Sequence, residues 1–363
     1  MKPMKVRLAI FFMLSCLFYL IGAGSQEDSG GEKAKYGLKP RDYALPPGAI
    51  ELKLEYTFPT QEDENKGLYL AHPQGFCASP FNSLFVSDTT NNEVYIFDLS
   101  GKHLETIGGL GQGPGEFMMP SEIALLDDKV IVRDIGNRRL QILDKLGKYR
   151  GGFKLFRDYS SLVACDGHIY AAPLFYGPPT ENKDRCLIDV LDLQGRVIRS
   201  FGGMLDVNAY DIAMLNKVYL ALGVKNELWV SFGAFPIVRK YSLNGDLLKE
   251  YRYTYGIVDK KESFNKRMDA QRTRFGRVLY YYINSAICAT AKGLYLLGSS
   301  EKRLDILLMG QDGRCSEFYW LPLDRPFGCF GLFVAEEETG SIFYVLDLVS
   351  ARIEVLSKKI IRR

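Results

Sequence analysis

Histidine, the side chain best suited to proton transfer at neutral pH, occurs only at His72, His103 and His168. His168 falls in an Asp166-Gly167-His168 turn, and none of the three has a partner at metal-ligand spacing. No Gly-x-Ser-x-Gly run is present that would expose a serine nucleophile. The glycine-rich run Gly108 to Gly115 has the composition of a phosphate loop but lacks the Gly-Lys-Ser/Thr ending, and no helix follows to receive the phosphate. Among the seven cysteines, Cys165, Cys186, Cys315 and Cys329 show neither CxxC nor zinc spacing. Asp88, Asp134 and Asp347 recur in similar surroundings, and Glu122 stands alone as a candidate acid. A recurring aspartate is expected to accept backbone N–H bonds in a turn. A calcium site among them would need a ligand cluster like the EF-hand pattern, which is missing. No cofactor and no metal site are expected.

With 47% hydrophobic and 25% charged residues over 363 positions, the chain can bury a substantial core. Its net charge of +3 is spread along the sequence, which argues against nucleic acid as the partner. Lys2, Lys5 and Arg7 precede an apolar run from Leu8 to Ile21 that ends in Gly22, Ala23 and Gly24. That run is shorter than the about 20 residues of a spanning helix. It reads as an export signal over 1–24, cleaved near Ala23 or Gly24. An alternative is lipid attachment at Cys16, in Leu14-Ser15-Cys16, although Met13 and the apolar residues after Cys16 depart from that pattern. Either way the expected location is the periplasm or cell envelope, with the membrane reached only through such an anchor. Residues 25–48 read as a tether, and 49–359 as the folded unit.

The elements that must position any site come from internal repetition. FVSDTTNNEVYIFDLSGKHLETIGG (85–109) is echoed at 130–153, 187–203, 227–253 and 293–321, with a truncated copy at 341–359. Each full copy closes a turn with glycine: Gly101, Gly147, Gly195, Gly245 and Gly313. A short apolar stretch precedes most copies, giving four strands per unit about every 45 to 50 residues, the period of propeller blades. Cys77 and Cys288 align there with Ala124 and Ala164, which asks for a small side chain near a crowded axis. Six units count out. The last lacks an outer strand, and the alternating segment Ile50 to Phe58 is the natural donor. The expected fold is all-β, a six-bladed β-propeller with four-stranded antiparallel blades, closed by its N-terminal strand.

IGGLGQGPGEFMMPSEIAL (107–125) and the frames Val86-Asp88-Asn91, Val132-Asp134-Asn137 and, more weakly, Val345-Asp347-Ser350 resemble NHL-type propeller repeats. Together with the signal they most resemble six-bladed envelope propellers of Bacteroidetes, related in architecture to TolB-like propellers. The resemblance covers about residues 50–357 and implies fold and location. The multi-histidine site of the NHL-like amidating lyases cannot be assembled from three histidines, and the metal ligands of lactonase-type propellers find no match in the repeat frame.

Two insertions break the spacing, and loops on a rigid scaffold are where recognition is expected. One runs from Pro173 to Arg185; the other, Gly256 to Asn284, is long enough for a helix and rich in Lys and Arg before Tyr280-Tyr281-Tyr282. Both interrupt connections that leave one end of a propeller. Tyr159, Tyr176, Arg277, Tyr281 and Tyr282 are therefore the candidate ligand-binding residues, suited to an envelope protein, a peptide or a carbohydrate. The same helix could instead cover the channel mouth with its charges in water. A binding module is expected, with a metal-dependent hydrolase or lactonase using the central channel as the alternative.

Overall fold

The computed structural model describes residues 44–79, 82–174, 185–207, 215–270, 281–300, 303–325 and 327–359. Blade one holds β2 (Pro73–Ala78), β3 (Ser83–Asp88), β4 (Glu93–Asp98) and β5 (His103–Gly108). Blade two holds β6 (Pro120–Leu126), β7 (Lys129–Asp134), β8 (Arg139–Asp144) and β9 (Tyr149–Lys154). In blade three are β10 (Tyr159–Cys165), β11 (His168–Pro173), β12 (Cys186–Leu191) and β13 (Val197–Gly203). Blade four contains β14 (Val218–Leu222), β15 (Glu227–Phe232), β16 (Ile237–Ser242) and β17 (Leu247–Arg252). Blade five contains β18 (Ala286–Ala289), β19 (Gly293–Ser300), β20 (Arg303–Gly310) and β21 (Cys315–Pro322). Blade six is β22 (Cys329–Glu337), β23 (Gly340–Asp347) and β24 (Arg352–Lys358), completed by β1 (Ile50–Phe58). Helix α1 (Gln61–Asn65) follows β1, and α2 (Gly256–Ala270) lies between blades four and five.

Blades have no interior of their own; their apolar residues are buried between neighbours. Within blade one, Leu84, Val86, Tyr95 and Phe97 pack toward Tyr344, Leu346, Ile353 and Val355 of blade six. The alternate residues Phe85, Val94 and Ile96 pack toward Ile123, Val130 and Val132 of blade two. Since successive strand residues face opposite ways, a blade covered on both sides needs apolar residues at every position. This is why the middle strands read as continuous apolar runs. The same arrangement recurs at the other four junctions.

The five turn glycines carry a second role beyond backbone freedom. All five adopt φ between +77° and +97°, which other residues adopt only with strain. A Cβ at Gly101, Gly147, Gly195, Gly245 or Gly313 would also stand within 2.7–2.8 Å or less of Phe58, Ile107, Phe153, Phe201 or Tyr251 respectively. Each of these is an apolar residue on the outer strand of the preceding blade. The glycine therefore sets both the turn and the approach of one blade to the next.

Closure follows the expected route. β1 pairs antiparallel with β24, from Leu52 opposite Lys358 to Phe58 opposite Ile353, with an irregularity between Leu54 and Tyr56. Its first residues also pair in parallel with β21, Ile50 opposite Tyr319, so one strand joins blades five and six into a single sheet. One detail of the repeat alignment changes. Cys77, Ala124 and Cys288 pair with Phe85, Ile131 and Tyr295, and the blade-three residue in the same register is Val163, opposite Tyr170; Ala164 is one place further on. The blade-three stretch therefore aligns one residue earlier than the sequence suggests, behind a one-residue irregularity between Tyr159 and Ser161 like those of blades one and two.

Candidate functional site

The links between blades and the turns joining each second and third strand emerge at one end of the ring, here called the linker face. The first residue of the innermost strand pairs with an aspartate in three blades: Pro73 with Asp88, Pro120 with Asp134 and Cys329 with Asp347. All three carboxylates are fully buried. Asp88 accepts the N–H groups of Ala71, His72, Thr90 and Asn91 at 2.6–2.9 Å. Asp347 accepts those of Gly328, Val349 and Ser350, with Arg325 at 2.6 Å. Asp134 accepts Met118 N–H, Asn137 and Arg139, each at 2.8 Å. Each aspartate thus ties the incoming link to the turn of its own blade.

The glycine-rich loop is a connector built the opposite way from a phosphate cradle. Its carbonyls at Gln112, Gly113 and Glu116 point to the Arg139 guanidinium at 2.8–2.9 Å. Its amides are already used: Gly113 donates to the Glu116 carboxylate, Gly115 to Gln141, and Phe117 to the Gly109 carbonyl. A loop that turns its carbonyls to a cation and spends these N–H groups on internal bonds is not the converging N–H cradle that an anion needs.

Two polar groups stand at the linker-face ends of the innermost strands. In blade two, Arg133, with a side chain only 7% exposed, donates to Glu122 at 2.8 Å and to Asp158 at 3.1 Å. Ser121 Oγ also donates to Glu122. Burial alone would push the Glu122 carboxyl up, but Arg133 and Ser121 hold it below its usual range. Glu122 is therefore an ion-paired anion, not a poised acid. In blade four, Tyr219 holds the register that Glu122 holds in blade two, each preceding the residue opposite Val230 or Val132. The buried Lys217 ammonium lies 5.2 Å from the Tyr219 ring centre and 5.5 Å from that of Tyr282, a cation between two π faces.

Helix α2 fixes the tyrosine segment. The buried Asn265 amide donates to the carbonyls of Ala234 and Tyr281 and accepts Tyr281 N–H, at 2.7–2.8 Å. Lys261 points inward and donates to the carbonyls of Tyr282 and Ser299 at 2.9 and 2.8 Å. Burial pushes its ammonium down to about 8. The expectation that the helix turns its charges to water is thus wrong for Lys261. Ile257 and Val258 complete the anchoring from the apolar side.

Tyr281 and Tyr282 keep half-buried rings, the former set edge-on against Phe264 at 4.8 Å. Tyr159 is placed differently: it is 1% exposed in the core between blades two and three, and its hydroxyl donates to buried Asp189 at 3.1 Å. In the described structure it offers no surface to a ligand. Tyr176, Arg277 and Cys16 lie outside the described residues. Lys217, Tyr219, Lys261 and Asn265 escaped sequence reading. The first two occupy blade positions where other blades carry unlike residues, and an inward lysine on a charged helix leaves no pattern. Among the described residues no group of His, Cys, Asp and Glu is assembled to hold a metal ion. No helix among the described residues is long and apolar enough to cross a membrane.

Residues 80–148 match the family described as 6-bladed beta-propeller. No curated protein matches the sequence. A member of the duf4221 family from Bacteroides vulgatus is similar in structure at TM-score 0.55 and 11% identity, over 86% of this chain and 99% of its own. A Bacteroides fragilis protein whose name assigns it to export is similar at TM-score 0.52 and 12% identity, over 86% and 99%. Virginiamycin B lyase from Staphylococcus aureus, solved as an inactive variant with quinupristin, is similar at 0.51 and 14%, over 85% and 100%. At such identities the likeness is one of fold. With six inter-blade cores, closure through β1 and the matched first blades, the chain is a six-bladed β-propeller of the kind found in Bacteroides propeller proteins.

Proposed function

We propose that this protein is exported to the cell envelope and works there as a binding propeller, recognising a protein, peptide or carbohydrate at its linker face. The observation that carries the reading is the Tyr281-Tyr282 segment. Its backbone is held by Asn265 and Lys261, while its rings stay partly open beside Lys217 and Tyr219. Rigid aromatic rings with a polar end bury area at low entropic cost, which suits recognition. Tyr176 and Arg277, from the same two insertions, are proposed to join them. Glu122, the candidate acid of the sequence, is committed to Arg133.

Affinity capture from native envelope tests this. Wild-type protein is expected to retain a partner that the Tyr281→Ala/Tyr282→Ala variant loses at unchanged melting temperature. Equal capture by the variant would move the binding face elsewhere. A stoichiometric divalent ion in the purified protein would favour the hydrolase alternative. Intact-mass measurement of envelope-derived protein separates cleavage near Ala23 or Gly24 from lipid attachment at Cys16.

A further inference from the structure

The linker-face corner between blades one and three carries a surface unlike the tyrosine segment of blade four. Phe156 is 91% exposed and Leu110 is 70% exposed, the former the most exposed large apolar side chain among the described residues. Neither sits on a loose strand end. Leu155 is buried and donates its N–H to the Arg138 carbonyl at 2.8 Å, Arg157 is paired with buried Asp189 at 3.0 Å, and Asp158 with Arg133. Phe156 is thus displayed outward between residues anchored on both sides. On the far side of the same turn, Asn137 donates to the Gly111 carbonyl at 2.9 Å and holds Leu110's loop against it. Arg138, at the tip between them, adopts φ +53° and is exposed. Lys154, opposite Arg139 in the β8–β9 register, is also exposed.

Charge decides what fits. Neither Arg138 nor Lys154 has an ion-pair partner among the described residues, whereas the nearby acids are engaged: Asp158 by Arg133, and Glu116 by the Gly113 N–H at 2.8 Å. We infer that Leu110, Arg138, Lys154 and Phe156 form a docking surface for an acidic peptide segment of a protein partner, one that sets large apolar side chains beside Asp or Glu. An anionic membrane fits less well, because stable adsorption draws on several clustered cations and a broad apolar face. This corner offers two free cations and two separated apolar side chains. The surface stands independently of the tyrosine segment.

A random heptapeptide library displayed on phage, panned against the full chain, reads this out. Peptides combining Asp or Glu with Leu, Ile or Phe are expected to be enriched. Panning on Arg138→Glu/Lys154→Glu or on Phe156→Ala is expected to lose that enrichment, and all these positions are exposed enough to leave melting unchanged. A selected peptide should bind Phe156→Ala about tenfold more weakly, the scale of a truncated anchor, and should weaken with added salt. No enrichment, enrichment without acids, or the same peptides on the variants overturns the inference. So does Phe156-dependent sedimentation with phosphatidylglycerol vesicles in the absence of peptide selection. The Tyr281→Ala/Tyr282→Ala protein is expected to select the same peptides, so that failure here and failure of the tyrosine face remain separate results.

Discussion

Blades one, two and six attach their incoming links through one carboxylate each, while the junction of blades four and five does so through a helix. In the first group Asp88, Asp134 and Asp347 collect backbone N–H groups. At the equivalent register blade four has Phe232 and blade three Pro173, neither of which can accept such bonds from its side chain. After blade four the polarity reverses: Asn265 and Lys261 of α2 donate to carbonyls, and Asn284 donates to Ser231, the Phe232 carbonyl and Tyr253. A short link can be held by one acceptor, because its N–H groups converge within a turn. A longer insertion needs a helix of its own to satisfy its backbone and to present rings to solvent.

Both devices presuppose a closed ring, so the largest expected effect comes from deleting residues 50–58. Leu52 and Phe58 are fully buried, and each such side chain contributes roughly 1.5–3 kcal/mol, besides the pairing with β24 and β21. The loss is a large share of a typical stability of roughly 5–15 kcal/mol, and calorimetry should show no cooperative transition near the wild-type temperature. An unchanged melt would refute closure through β1.

Next in size is Asp134→Ala, which strands the Met118 N–H and leaves Arg139 without its carboxylate. Breaking a buried pair in this way costs about 3–5 kcal/mol, read by urea unfolding. A smaller cost is expected at the helix. Lys261→Met removes two donors from carbonyls and should destabilise by about 1–3 kcal/mol, with hydrogen exchange rising first around Tyr282. If Lys261→Met proved costlier than Asp134→Ala, the helix would be the main staple of the ring.

The smallest effect is in pH, where the two regions should differ in sign. Burial pushes the Glu354 carboxyl up to about 7, although Arg325 opposes the shift. The folded chain therefore holds that proton where the unfolded chain has lost it, and this contribution to stability disappears as pH rises from the ordinary glutamate range through 7. Lys261 is the reverse: its ammonium is pushed down to about 8, so the unfolded chain binds more protons above that pH and stability rises from 8 toward the ordinary lysine range. Melting temperatures across pH 4 to 10 for wild type, Glu354→Gln and Lys261→Met should show each slope vanish in its own variant. Parallel profiles would mean that neither group titrates as its surroundings imply.

Sequence periodicity by itself determined the blade count, the turn glycines, the strand that closes the ring and the stapling aspartates. These follow from local rules: a positive φ needs glycine, a tight turn needs an acceptor, and an unpaired final blade needs a strand. Only tertiary structure decided what the side chains at the linker face do. Tyr159 is a core residue because the first position of its innermost strand lies in the junction of blades two and three, with its hydroxyl on Asp189, and Glu122 is occupied because Arg133, from the neighbouring strand, reaches it. Lys261 points inward because carbonyls of the tyrosine segment and of blade five, at Tyr282 and Ser299, meet at its ammonium, and such partners, distant in sequence, leave no trace in the spacing of the lysine itself. The exposure of Phe156 is likewise set by its anchored neighbours, since strand-end sequence looks the same whether a ring packs inward or stands in solvent.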